Sequence, residues 1–123
     1  ALDSFRIVRD HKAYINGGIV HCFSYPLEVA KDFVSLGMMI GIGGVLTFTN
    51  AKKLKQVAEE IPLEHIVLET DCPYMAPVPV RGSRNYSGNL RYVAELLANL
   101  KGISVEEVIR KTEENGKKVY RIK

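Results

Sequence analysis

Two short apolar runs of the chain end in side chains that could bind a metal or move a proton. The run GGIVHCF carries His21 near its end, and HIVLETDCPY carries Glu69 and Asp71. Imidazole and carboxylate are good donors to Zn²⁺ or Mn²⁺, and a carboxylate beside such an ion can also take a proton from attacking water. In that chemistry Asp71 is both a ligand and the general base. Glu69 lies two residues earlier, so on a strand it points to the same side and stands behind Asp71 as a second catalytic carboxylate. A buried Glu69 requires a cation, a metal or a hydrogen-bond network, and an ion pair with Arg81 or Arg84 is the structural alternative to a direct role. One histidine and one aspartate do not make a metal site. The competing reading has His21 hydrogen-bonded at a strand end and Asp71 capping the turn that follows.

Neighbouring residues extend these possibilities. Cys22 and Cys72 directly follow His21 and Asp71, but on a strand Cys22 points away from His21, toward the helices, where a small buried hydrophobe fits better than a zinc ligand. A Cys22–Cys72 disulfide is not expected in a reducing compartment. The glycines of GIGG, Gly41 to Gly44, allow either a phosphate to approach the backbone or two segments to pack closely. RGSRN places Arg81, Arg84 and Asn85 beyond Asp71, where arginine can pair bidentately with phosphate or remain a solvated loop charge. His11, in a first helix, and His65, at a strand start, read as structural.

The elements that would hold these groups alternate. Leu2, Phe5 and Val8 recur at helical spacing up to about Tyr14, and Gly17-Gly18 ends that segment. The strand IVHCF follows, with Ile19, His21 and Phe23 on one face and Val20 and Cys22 on the other. Pro26 opens a helix bearing Leu27, Ala30 and Val34, and Gly37 stops it. MMIGI is a buried strand, and Leu54, Val57, Ala58 and Ile61 mark an amphipathic helix closed by Pro62. After the strand HIVLETD and a Pro-rich loop from Pro73 to Pro79, Leu90, Val93, Ala94, Leu97 and Leu100 define a helix ended by Gly102. Ser104 and Glu107 form a capping box for a last helix running to about Tyr120.

Strands apolar on both faces, each followed by a helix, predict a parallel α/β sheet whose ligands gather at the strands' carboxyl ends. Three strands are few for a closed sheet. A (β/α)8 TIM barrel usually takes about 250 residues, so the pattern matches half of one, with residues 1-123 forming a single domain. The chain has 123 residues, is 46% hydrophobic and carries a formal net charge of +3, which suits a globular domain and makes an anionic partner plausible without specifying nucleic acid. The stretch VSLGMMIGIGGVLTF is shorter than the roughly 20 apolar residues of a bilayer span and is interrupted by glycines, so no membrane is expected. Two cysteines and no leader pattern lead to the expectation of a cytoplasmic protein.

Taken together, GGIVHCFSYPLEVAKDFVSLG, TFTNAKKLKQVAEEIPLEHIVLETDCPYMAPVPVRGSRN and KTEENGKKVYRI closely resemble the TatD family of metal-dependent deoxyribonucleases. The resemblance implies a TIM barrel of the amidohydrolase-like type that cleaves phosphodiester bonds in DNA with metal-activated water, using divalent ions (Mg, Mn or Zn), two in the complete enzyme. It makes His21 a ligand to the second metal, Asp71 a ligand to the first metal and the base for water, and Glu69 the glutamate of the same ETD block. Arg81 and Asn85 match the family's RGKRN loop, and with Arg84 they are the expected phosphate contacts. Tyr25 and Pro26 replace a usual Gly-Ser, Tyr86-Ser87-Gly88 replace a common Glu-Pro, and Gly116 stands where alanine is usual. None of these replacements is expected to remove chemistry.

A larger departure is the lack of any counterpart to the family's His-x-His motif, its bridging glutamate or its further histidine. The resemblance therefore implies the carboxyl-terminal half of a barrel, starting in the helix after the fifth strand. The isolated chain is expected to be nearly inactive, and its partners to be DNA and either the missing amino-terminal half-barrel or a second copy. The alternative is a non-catalytic half-barrel that self-associates or binds nucleic acid.

Overall fold

A computed structural model of the chain describes residues 18–21, 23–69, 77–78 and 90–120. The helix expected over Leu2–Tyr14 lies outside them. In chain order the elements are β1 (Ile19–Val20), α1 (Leu27–Ser35), β2 (Met39–Ile42), a 3₁₀ turn (Gly44–Thr47), α2 (Lys52–Glu60), a second 3₁₀ turn (Leu63–His65), β3 (Ile66–Leu68), α3 (Leu90–Lys101) and α4 (Val105–Tyr120). The strands form one sheet in the order β1-β2-β3, with both pairs parallel. Ile19 is in register with Met39, and Gly41 with Val67. This is the expected α/β pattern.

All four residues of β2 are buried. Ile40 and Ile42, with Ile66 of β3, join the main core formed with Ala30 and Phe33 of α1, Leu54 and Val57 of α2, and Val93 and Leu97 of α3. By strand alternation Met39, Gly41 and Val67 face the opposite side. The period-2 pattern places one set of side chains under the helices and leaves the other set for whatever the far face supports.

Local chemistry ends the helices where the sequence predicts. Gly37 has φ +80° and Gly102 φ +67°, a left-handed conformation that costs glycine little. Around Gly37, Gly37 N–H donates to Val34 O (2.8 Å) and Met38 N–H to Phe33 O (3.2 Å). Around Gly102, Gly102 N–H donates to Asn99 O (3.3 Å) and Ile103 N–H to Ala98 O (3.0 Å). Both are Schellman closures, and the apolar residue after each glycine packs on the core. At the start of α4, Ser104 Oγ accepts from Glu107 N–H at 3.1 Å, which is the capping half of the expected Ser104/Glu107 box.

The first strand differs from expectation. Only Ile19 and Val20 form strand, and the chain turns at His21. Phe23 is buried in the core, 3% exposed, with its ring edge-on to Tyr25 at 5.6 Å. His21 is exposed, so the two do not share a face. Phe23 N–H still donates to Gly41 O (3.1 Å), which keeps this segment beside β2 after regular pairing ends. His65 falls in the 3₁₀ turn just before β3, with Nδ1 buried and without a partner.

Two side chains tie the last two helices to the rest of the fold. Lys101 Nζ donates to Ile61 O (2.6 Å) and Glu59 O (3.3 Å), so α3 covers the open carbonyl end of α2. Desolvation at this site pushes its pKa below the usual lysine value, against the raising effect of Glu64 and Glu60. Asn115 of α4 is 1% exposed, and its Nδ2 donates to Leu63 O (2.7 Å) and Ile66 O (2.8 Å). One amide thus satisfies the carbonyls at the entrance of β3. Asn115→Ala removes both bonds and strands two acceptors, so it should cost about 2–4 kcal/mol of unfolding free energy. Urea denaturation followed by circular dichroism measures this, and a loss below about 0.5 kcal/mol would mean the amide is not an anchor.

Candidate functional site

Because the three strands are parallel, their carboxyl ends lie together. His21 follows the last residue of β1, and Glu69 follows the last residue of β3. The ladder continues one step beyond β3, since Glu69 N–H donates to Ile42 O at 3.0 Å. That bond fixes the glutamate backbone against the central strand. The Glu69 side chain then extends back across β2, and its Oε2 meets His21 Nδ1 at 2.5 Å. The His21 side chain is 65% exposed and that of Glu69 is 16% exposed, so the imidazole faces the open end while the carboxylate sits beneath it.

A carboxylate against Nδ1 selects the tautomer that carries its proton there. Nε2 is then the nitrogen whose lone pair can serve a metal ion. Pairing of one ring nitrogen with a carboxylate, to orient the other toward a metal, is the usual support of a ligating histidine. His21 and Glu69, with Ile19 and Val119, line a cavity of about 340 Å³. A roomier cavity of about 530 Å³ also reaches Glu69 but is walled mainly by apolar groups, among them Val67, Leu68, Ala94 and Ile109. Its rim also carries Arg91, Thr112, Glu113 and Lys117, while the His21–Glu69 pair lines the smaller cavity.

The described residues supply part of the expected donor set. Among them no group of three or more His, Cys, Asp or Glu side chains is placed to hold a metal ion. His21 and Glu69 fit as one ligand and its orienting partner, which is the donor chemistry a divalent ion takes, but they are not a complete site. Asp71, Arg81, Arg84 and Asn85 lie outside the described residues, as do Cys22, Cys72 and His11. The Pro-rich loop is described only at Pro77 and Val78, where Pro77 is buried and Val78 N–H donates to Thr47 Oγ1 at 2.8 Å. Among the described residues Glu69 pairs with His21; Arg81 and Arg84, the ion-pair alternative that the sequence offered, lie outside them. The signal was present in the element order, since two strand ends separated by one strand are close enough for a glutamate to bridge.

Comparison with known proteins places this geometry in context. A model of the family described as TatD related DNase matches residues 2–121. The metal-dependent hydrolase YabD of Bacillus subtilis, named as uncharacterized, is 42% identical over 120 residues, which cover 98% of this chain and 47% of that protein. The similarly named YcfH of Escherichia coli K12 is 41% identical over 120 residues, 98% of this chain and 45% of that protein. The chain thus spans about half the length of the curated relatives it matches. Among solved structures, the TatD homolog YJJV of Escherichia coli superposes with a TM-score of 0.88 at 29% identity, over 97% of this chain and 46% of the other. A TatD family hydrolase of Entamoeba histolytica superposes with a TM-score of 0.84 at 22% identity, over 96% and 46%, and speaks to the fold alone. The three parallel strands and their helices are half of such a TIM barrel.

A residue placed for chemistry at the open end of a sheet should be dispensable to the fold. His21→Ala is expected to leave the circular dichroism spectrum unchanged and to lower unfolding free energy by no more than about 1 kcal/mol, the range of exposed ion pairs. A loss above about 3 kcal/mol in urea denaturation would class His21 with the buried core instead.

Proposed function

The chain belongs to the family of TatD-related DNases, and on that premise we propose that it is the carboxyl-terminal half of a metal-dependent hydrolase that cleaves phosphodiester bonds in DNA. The observation that carries this reading is the imidazole of His21 held by Glu69 at the carboxyl end of parallel strands, where α/β barrels place their reacting groups. In this reading His21 and Asp71 are the metal ligands this chain provides, with His21 binding through Nε2. A divalent ion of the Mg, Mn or Zn type supplies Lewis acidity, lowering the pKa of attacking water and polarising a phosphoryl oxygen. Asp71 accepts the proton that the water loses. Glu69 keeps the His21 ring in one orientation. Arg81, Arg84 and Asn85 grip the non-bridging phosphate oxygens, where a planar guanidinium can offer two parallel N–H donors.

Two ligands from one chain fall short of the three that a catalytic zinc ion takes from protein. The isolated 123-residue chain is therefore expected to show no Mn²⁺-dependent cleavage of DNA, and co-expression with the amino-terminal half of a relative to restore it. In the restored complex His21→Ala and Asp71→Ala should each lower the rate by more than the roughly 10–100-fold typical of residues that only orient a ligand. A gel assay of a fluorescent DNA strand, with and without chelator, measures this. Cleavage that survives chelation, or that is indifferent to both substitutions, would remove the hydrolase reading. Metal-independent DNA binding without cleavage in the same complex would point instead to a nucleic-acid-binding half-barrel.

A further inference from the structure

We propose that Gly41 is a positioning residue of this site: by having no side chain, it opens the passage through which Glu69 reaches across β2 to orient His21. The inference rests on the reading of His21 as a metal ligand only for its functional meaning.

The sheet order is β1-β2-β3, so the two partners of the His21–Glu69 bond stand on either side of the central strand. Adjacent strands are about 4.8 Å apart, which puts roughly 9–10 Å between the backbones that must be joined. A glutamate can span that gap only by lying over the middle strand. Gly41 is where it lies. A Cβ built on Gly41 would fall 2.6 Å from Glu69 Oε1, 2.7 Å from Cδ and 2.8 Å from Oε2. All three nearest atoms belong to the one carboxyl group, and all are closer than carbon can approach. The carboxylate occupies the space a side chain at position 41 would fill.

Gly43 acts on the backbone of the same residue. A Cβ there would lie 2.9 Å from Glu69 O, an atom that cannot swing aside as a side chain can. Neither glycine has a positive φ, so backbone conformation does not demand glycine at either position. The demand is for space, and at both positions Glu69 takes it. Of the two openings that GIGG offered, to a phosphate or to a packed segment, the packed segment is the one the described residues fill.

The two contacts predict different consequences. Because the atoms above Gly41 are the far end of a flexible side chain, a substitution there should displace the Glu69 carboxylate and spare the fold. Gly41→Ala should weaken the pairing, and Gly41→Val should abolish it. The readout is the imidazole ¹⁵N spectrum of His21 in the metal-free chain, at a pH where the ring is neutral. The wild-type chain should show the proton on Nδ1, and folded Gly41→Val should lose that preference. In the complex restored with the amino-terminal half, the concentration of Mn²⁺ that broadens the His21 signals should rise about tenfold, as for loss of a residue that orients a ligand.

A folded Gly41→Val that keeps the Nδ1 proton overturns the inference and leaves the metal reading intact. Loss of the preference, with no Mn²⁺ broadening in any variant of the complex restored with the amino-terminal half, supports the passage and removes the metal reading. Should Gly41→Val fail to fold, the double variant Gly41→Val/Glu69→Ala decides, since neighbouring substitutions couple when they share one contact. Recovery of the folded state in the double variant supports the inference, because Glu69 is then the group that valine displaced. Failure of both variants to fold overturns it.

Discussion

The structure depends on β2 being buried on both faces. A parallel sheet has no solvent side on which polar residues can rest, so each residue of Met39–Ile42 must be accommodated by what lies above or below it. Below, Ile40 and Ile42 are enclosed by α1, α2 and α3 and form the centre of the core. Above, Gly41 contributes nothing to packing, and its place is taken by the side chain of the residue that follows a neighbouring strand. The same alternation that builds the core therefore leaves a gap on the opposite face, and a carboxylate from outside the strand fills it. Burial of that carboxylate would be unfavourable without a polar partner. His21 provides one at the edge of the sheet.

Most of the fold was legible because local signals and core demands agree. Gly37 and Gly102 end helices by supplying the left-handed residue that closes a Schellman turn, and the following Met38 and Ile103 supply the apolar contact. Each is a property of a few consecutive residues, so the sequence alone could show it. The course of GGIVHCF was not legible in the same way. Alternation placed Phe23 beside His21, whereas the large apolar ring goes to the core once pairing with β2 ends at Val20. There the burial of an aromatic group outweighed the continuation of a strand, and periodicity has no term for that competition.

The site was legible by residue type and obscure by partner. His21 and Glu69 could be picked out because each ends an apolar run with a group able to bind or transfer protons. Their meeting is a contact between positions 48 residues apart, and it needs the strand order as well as the strands. Gly41 is the more instructive case. A glycine within a strand signals that something approaches closely, but the approaching atoms come from Glu69, just beyond β3, and nothing near position 41 in sequence identifies them.

The division of labour at the site follows from these placements. Orientation of the imidazole, a ligand in the proposed reading, is local to this chain: the Glu69 backbone is held by Ile42, its side chain lies over Gly41, and its carboxylate holds His21. In domains whose metal binding is itself the folding energy, ligands are ordered only when the ion arrives. Here hydrogen bonding to Glu69 and the shape of the sheet orient the imidazole. A ligand already turned the right way loses less conformational freedom on binding, so more of the coordination energy remains for affinity. The exposed face of His21 then has a physical rationale. The ring is held from beneath by Glu69, and in the proposed reading donors from beyond these three strands would complete the coordination.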